Sequence, residues 1–212
     1  MLSNQIATSN IKMKTYQQLW QSLTPLYDAG EAQAIVRTVL DVKYGMTLTD
    51  IICGKVNEIS ADEERKLEEI IIRLQKGEPV QYVLGEADFA GRTFRVEPGV
   101  LIPRPETAEL CQWIEKDFAG KSTVSPKDSP EESSKDSPEV SPQATDDARR
   151  ILDICTGSGC IAITLGLNIP NSEVTGWDIS EDALRIAQGN VEMMKAGNVR
   201  IEHQDALALP KA

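Results

Sequence analysis

The residues with the clearest chemical potential lie between positions 153 and 178. Asp153 and the segment Cys155-Thr156-Gly157-Ser158-Gly159 follow a short apolar run, and Asp178 ends the next apolar run. Glycines in a turn let the backbone approach a ligand closely, and a carboxylate at the next strand end accepts hydrogen bonds from ribose hydroxyls. An acid, a glycine turn and a second acid in this order predict a site for a nucleoside-bearing cofactor.

The surrounding pattern predicts how these groups come together. From Arg150 onward, predicted strands at 151–154, 173–178 and 199–203 alternate with helical patterns at 158–167 and from 181 to near 197. Such alternation predicts a parallel sheet with right-handed crossovers. Because ligands of parallel sheets bind beyond the carboxyl ends of the strands, Asp205, just after the third strand, is expected to join the same crevice.

Two cofactors fit this turn. Gly157 to Ala162 matches the G-x-G-x-x-G/A pattern with Asp178 about 20 residues further on, as an NAD site requires. S-adenosylmethionine instead has a cationic amino acid end and no pyrophosphate, so an acid before the turn attracts it and repels a diphosphate. Asp153 therefore favours S-adenosylmethionine over NAD. Ordinary turn glycines with surface acids are the third possibility, and the occurrence of these features together at three strand ends argues against it. The predicted cofactor site comprises Asp153, Cys155, Thr156, Gly157, Ser158, Gly159, Asp178, Asp205 and Ala206.

Composition narrows the class of protein. The 212 residues carry a net charge of −11 and no basic run, which argues against direct binding of nucleic acid. The four cysteines form no Cys-x-x-Cys pair and there is one histidine, so no metal site is expected. The sequence shows no signal peptide and no apolar run of membrane-spanning length, and we expect a cytoplasmic protein without membrane contact.

The rest of the chain divides into three further segments. Residues 1–77 predict a helical bundle, in which Ser60 and Glu63 have the spacing of a capping box. Residues 78–118 predict a connector: a hairpin with strands at 82–85 and 92–96, then a helix that buries Leu110, Trp113 and Ile114. Residues 119–149 are rich in Ser, Pro, Asp and Glu and repeat Lys-Asp-Ser-Pro-Glu, which predicts a flexible insertion before the sheet domain at 150–212.

Four stretches together resemble a known family. They are 77–85, the connector segment 94–107, the cofactor turn 151–161 and the strand end 176–180. In these stretches the chain is similar to the HemK/PrmC protein-(glutamine-N5) methyltransferases. The resemblance implies a helical domain that helps to hold a class I peptide chain release factor, a β-hairpin connector and a Rossmann-like methyltransferase domain. It also implies methylation, by S-adenosylmethionine, of the glutamine side-chain amide in the release factor's Gly-Gly-Gln motif.

The sequence departs from this family at two places. Cys155 stands where glycine is usual, which we expect to be tolerated if its backbone φ stays negative. The family's Asn-Pro-Pro-Tyr motif, which binds the target amide, does not occur, so no catalytic residue is assigned. We therefore expect an incomplete, inactive fragment with three strands of an α/β sheet. A non-catalytic binding module and a fragment of an NAD-dependent oxidoreductase are the alternatives.

Overall fold

The computed structural model describes residues 15–120 and 149–208. The chain forms two compact units, Met1–Gly85 and Glu86–Ala212. The expected flexible insertion lies outside the described residues at 121–148, whereas positions 119 and 120 belong to a helix and 149 to a strand. The first unit ends at Gly85, eight positions beyond the end of the helical segment 1–77 that the sequence predicted, and its last helix ends at Leu84.

In the first unit, four of the six described helices have amino ends that are capped by side chains. Thr15, Asp28, Thr47 and Ser60 each accept a hydrogen bond from a backbone N–H three residues on, which satisfies a donor that the helix itself cannot pair. The expected capping box of Ser60 and Glu63 is confirmed. The helices are α1 (Tyr16–Gln21), α2 (Ala29–Tyr44), α3 (Leu48–Ile52), a 3-10 helix (Lys55–Glu58), α4 (Ala61–Gln75) and α5 (Val80–Leu84).

The predicted first strand of the hairpin, at 82–85, is wrong. Those residues end helix α5, which starts after Pro79 and stops at Gly85 in a left-handed conformation with φ of 81°. Val83 and Leu84 are buried in the same apolar core as the long helices α2 and α4. Burial against helices therefore overrides the strand preference of Tyr82 and Val83.

The hairpin itself begins at the next residue. Strands β1 (Glu86–Phe89) and β2 (Arg92–Arg95) pair antiparallel, and the two-residue loop of Ala90 and Gly91 has φ of 49° and 74°. Positive φ at both positions matches the twist that a two-residue hairpin loop needs. The rings of Phe89 and Phe94 meet edge to face at 5.9 Å and begin the core of the second unit.

Helix α6 (Pro105–Gly120) forms where a helix was expected, but the predicted buried face is largely wrong. Trp113 is 65% exposed and Leu110 is 46% exposed, while Cys111 is fully buried. Ile114 packs against the core as predicted, while Ala108 and Cys111, at three-residue spacing from it, take the place of Leu110 and Trp113. The buried stripe is thus displaced around the helix from the largest apolar side chains.

The sheet of the second unit has the order β3-β4-β5, with all strands parallel. Helices α7 and α8 connect consecutive strands, and the α/β fold class predicted from sequence is confirmed. Asp153, Gly176 and Ile201 pair side by side across the sheet. Leu152 and Ile154 flank Asp153 in β3, so their side chains lie on the other face of the sheet, where they are about half exposed. The elements are β3 (Arg149–Ile154), α7 (Cys160–Asn168), β4 (Ser172–Asp178), α8 (Glu181–Met194) and β5 (Val199–His203).

Membrane-spanning helices and metal-binding clusters are both absent from the described residues. Within 15–120 and 149–208, every helix is too short or too polar to cross a lipid bilayer. In the same ranges, histidine, cysteine and acidic side chains form no group of three able to hold a metal ion.

Candidate functional site

The turn between β3 and α7 alternates in backbone conformation. Cys155, Gly157 and Gly159 have φ of 62°, 57° and 78°, so every second residue is left-handed. The glycines adopt this region without a steric penalty. Cys155 therefore lacks the negative φ that was the condition for tolerating a side chain at this position. The Cys155 side chain is exposed there.

Removing the side chain at this position is expected to stabilise the protein. A left-handed residue with a Cβ costs about 1–2 kcal/mol, and part of this is offset by the larger unfolded-state entropy of glycine. Cys155→Gly should therefore raise the free energy of unfolding by about 0.5–1 kcal/mol, measured by urea denaturation. Cys155→Ala removes the same thiol but keeps the Cβ, so an equal gain in that control would contradict the explanation from backbone strain.

Asp178, at the end of β4, holds two loops at once. Its Oδ2 accepts a hydrogen bond from the Gly157 backbone N–H at 2.9 Å, and its Oδ1 accepts one from the Ser180 N–H at 3.0 Å. The carboxylate thus joins the glycine turn to the start of α8, where Ser180 caps the helix as predicted. Because an ionised carboxylate accepts about four hydrogen bonds, Asp178 keeps capacity for a ligand.

Asp153, at the end of β3, lies beneath the same turn. Its Oδ2 accepts hydrogen bonds from the Thr156 hydroxyl at 2.6 Å and from the Ala162 backbone N–H at 3.2 Å. The second bond satisfies a free donor in the first turn of α7, whose cap residue Gly159 has no side chain. Among the described residues, Oδ1 receives no such bond.

The surroundings of Asp153 disfavour its charge. The residue is only 9% exposed, and burial raises the pKa of its carboxyl above the ordinary value. The hydrogen bonds from Thr156 and Ala162 oppose this shift in pKa, and the negative charge of Asp178 adds to it. A cation placed next to Asp153 would reverse the penalty.

Gly176 makes room for this arrangement, and sequence reasoning missed it. A Cβ on Gly176 would lie 2.9 Å from the Thr156 hydroxyl oxygen and 3.1 Å from the Thr156 Cβ. Those distances are shorter than ordinary contacts, so a side chain there would push Thr156 away from Asp153. The signal in the sequence was a lone glycine inside a strand, which often marks a close approach of another chain segment.

The end of β5 adds the remaining predicted residues. The Gln204 backbone N–H donates to the Asp178 carbonyl at 3.0 Å, which continues the sheet contact beyond the strand. Asp205 follows, and its Oδ1 accepts from the Leu207 N–H at 2.8 Å in a turn that also contains Ala206. Asp205 and Ala206 are both half-buried. The structure thus joins Asp153, the turn and Asp178 by hydrogen bonds, and places Asp205 at the next strand end.

Ser158 and Asn190 are the other polar groups buried at the turn. Ser158 Oγ is inaccessible and has no hydrogen bond of ordinary geometry in the described part of the chain, although the Cys160 thiol lies close enough to interact with it. Asn190 on α8 donates to the Ser158 backbone carbonyl at 2.8 Å. Asn190 was not predicted; its only signal was an amide side chain on the buried stripe of a helix.

Sequence comparisons give two domain matches. Residues 22–85 match the PrmC N-terminal domain, and residues 145–212 match a methyltransferase domain. The match at 145–212 covers all the predicted site residues.

Curated relatives cover both domains together. The release factor glutamine methyltransferase of Bacteroides thetaiotaomicron is 44% identical over 188 residues, which are 89% of this chain and 58% of that protein. The enzymes of the same name from Flavobacterium psychrophilum and Coxiella burnetii are 31% and 30% identical over 90% and 100% of this chain, and over 59% and 64% of their own lengths. The chain thus spans less than two thirds of these relatives.

Proposed function

Because the chain belongs to the family of release factor glutamine methyltransferases, we propose that its parallel-sheet unit binds S-adenosylmethionine. One observation carries the proposal: Asp178 holds the backbone of the glycine turn, while Asp153 lies under the same turn and its Oδ1 accepts no hydrogen bond from the described part of the chain. The site therefore offers two carboxylates and a tight backbone bend at the carboxyl ends of β3 and β4. This donor set suits a ligand that combines a ribose with a cationic end.

Each residue then has a defined task in binding. Asp178 accepts hydrogen bonds from the ribose hydroxyls, and Asp153 Oδ1 attracts the amino group of the methionine part, directly or through water. The segment from Cys155 to Gly159 supplies close backbone approach, and Asp205 with Ala206 contacts the adenine. When bound, S-adenosylmethionine supplies an electrophilic methyl group.

The position of Asp153 also argues against NAD. Dinucleotide sites bind a pyrophosphate at the amino end of the helix that follows the glycine turn. In this structure Asp153 Oδ2 already accepts the Ala162 N–H in the first turn of α7. A diphosphate would compete for that donor and meet a carboxylate of the same sign, whereas a cationic ligand would not.

Ligand binding to the chain tests this part of the proposal. S-adenosylhomocysteine at 100 times its Kd should stabilise the folded sheet unit by about 2.7 kcal/mol and raise its melting temperature by several degrees. NADH at the same concentration should give no shift. A shift with NADH alone would support an oxidoreductase, and no shift with either ligand would support a non-catalytic binding module.

For the whole protein, we propose methylation of the glutamine amide nitrogen in the Gly-Gly-Gln motif of class I release factors. Support comes from the names of the relatives and from the match of residues 22–85 to the PrmC N-terminal domain, for which we propose a role in holding the release factor. Asn-Pro-Pro-Tyr, by which the family positions the amide, does not occur among the 212 residues, so none of them is given that role.

A methylation assay with the whole protein tests the substrate. Methyl-labelled S-adenosylmethionine is incubated with a release factor that carries either Gly-Gly-Gln or Gly-Gly-Asn. We expect label only in the first, because the shorter side chain places its nitrogen too far from the methyl group. Equal labelling of both release factors would contradict the proposed target.

A further inference from the structure

Asn190 joins the hairpin connector to the glycine turn. It lies on α8 and is fully buried. Its Oδ1 accepts from the Arg95 backbone N–H at 2.8 Å, and its Nδ2 donates to the Arg95 carbonyl at 3.0 Å and to the Ser158 carbonyl at 2.8 Å. One side chain thus uses both its amide hydrogens and its oxygen on backbone groups from two separate segments.

In the turn, Asn190 bonds to a residue whose backbone neighbours are both flexible glycines. Ser158 lies between Gly157 and Gly159, which are both left-handed. Glycines on both sides leave this peptide with more conformations than any other residue pair would. Gly157 is also the residue whose N–H bonds to Asp178. Fixing the Ser158 carbonyl therefore restricts the part of the turn that is proposed to approach the cofactor.

The attachment point in the connector is firmly placed. Phe94 and Val96, on either side of Arg95, are fully buried. Glu97 then bonds to Arg185 on α8 at 2.9 Å, although both groups are exposed enough for this ion pair to contribute little. The connector strand is thus held mainly by apolar burial and gives Asn190 a rigid base.

We propose that Asn190 is a positioning residue that keeps the glycine turn in its ligand-binding conformation by fastening the Ser158 carbonyl to strand β2. The inference rests on the proposed cofactor site, because it assigns Asn190 a role in binding at that site. It also gives the connector a function beyond linking the two units: its strand β2 is part of the support for the turn.

Asn198 provides a matched control. Its Nδ2 donates to the Gly166 and Ser172 carbonyls at 2.8 and 2.9 Å, so it also bridges two backbone segments of the second unit. It lies just before β5, at the amino ends of the parallel strands, whereas the glycine turn follows β3 at their carboxyl ends. Asn190→Ala and Asn198→Ala therefore both remove bridging bonds, but only the first removes one from the turn.

The experiment compares the two variants in two measurements. Without ligand, hydrogen exchange of the Gly157 and Gly159 amides should become about tenfold faster in Asn190→Ala and remain unchanged in Asn198→Ala. Kd for S-adenosylhomocysteine, measured where each variant is fully folded, should rise at least about tenfold only in Asn190→Ala, which corresponds to about 1.4 kcal/mol. Asn190→Ser serves in the same measurements if the alanine variant does not fold.

The two measurements separate the possible failures. Unchanged exchange at Gly157 and Gly159 in the Asn190 variant would overturn the inference, whatever the ligand result. Equal weakening of binding by both variants would overturn it too, because general loss of stability would then explain the effect. If the unsubstituted chain binds no S-adenosylhomocysteine, the proposed function fails, and with it the role of Asn190 in binding. Faster exchange in Asn190→Ala would still show that the bond from Asn190 to the Ser158 carbonyl holds the turn.

Discussion

Asp178→Ala is expected to weaken binding of S-adenosylhomocysteine by at least about 100-fold, since each hydrogen bond to a charged group contributes about 1.5–3 kcal/mol. The proposed ribose contacts account for part of this loss. The rest comes from the turn, because the Gly157 and Ser180 N–H groups lose the acceptor that holds them in place. Isothermal titration calorimetry measures the effect directly.

Glu181 offers the control for this prediction. It is an exposed carboxylate in the first turn of α8, three residues after Asp178, and it makes no bond to the glycine turn. Glu181→Ala removes the same charge from the same neighbourhood and should change Kd by less than about twofold. A comparable loss in both variants would mean that net charge, and not a contact with the ribose, sets the affinity.

Asp153→Asn is expected to lower affinity and raise stability together. The asparagine keeps an oxygen that accepts from Thr156 and Ala162, so the local fold is retained. It loses the negative charge proposed to attract the amino group, and binding should weaken about 10- to 100-fold. The melting temperature at pH 7 should nevertheless rise, because the buried charge that burial penalises is gone.

The stability gain of Asp153→Asn should depend on pH with a defined sign. Burial raises the pKa of Asp153 in the folded state, so the folded chain holds this proton more tightly than the unfolded chain. The stability that the folded parent chain gains from holding this proton is present below the ordinary pKa range of aspartate, about pH 4. It is lost as the pH rises through the raised pKa of Asp153. The difference in melting temperature between variant and parent should therefore vanish at low pH and grow towards neutrality. A difference that is constant from pH 4 to 8 would contradict burial as its cause.

Most of the sheet unit could be predicted because its signals are local. Strands at 151–154, 173–178 and 199–203 agree with the structure to within two residues at each end. Each is a short segment with β-branched residues that is followed by a turn, and Ser180 marks the start of α8. The parallel arrangement then follows from strand and helix alternation, and it brings Asp153 and Asp178 to one edge.

The features that were missed depend on contacts between distant segments. Tyr82 and Val83 have strand propensity, but packing on the helical core makes them helical. On α6, two overlapping apolar stripes exist, and only the core shows that Cys111 is buried and Trp113 is not. The positive φ of Cys155 and the close approach of Gly176 to Thr156 arise from the shape of the turn, which no local propensity contains.

The half-exposed apolar side chains of the parallel sheet have a consequence for the colloidal behaviour of the chain. Leu152 and Ile154 lie in strand β3 and are about half exposed, and among the described strands β3 has a partner on one side only. Apolar area beside an unpaired strand favours contact between copies. The net charge of −11 opposes such contact by repulsion, but salt limits the range of that repulsion to about 8 Å at physiological ionic strength. Dilute, low-salt solutions are therefore the conditions in which separate copies of this chain are best maintained.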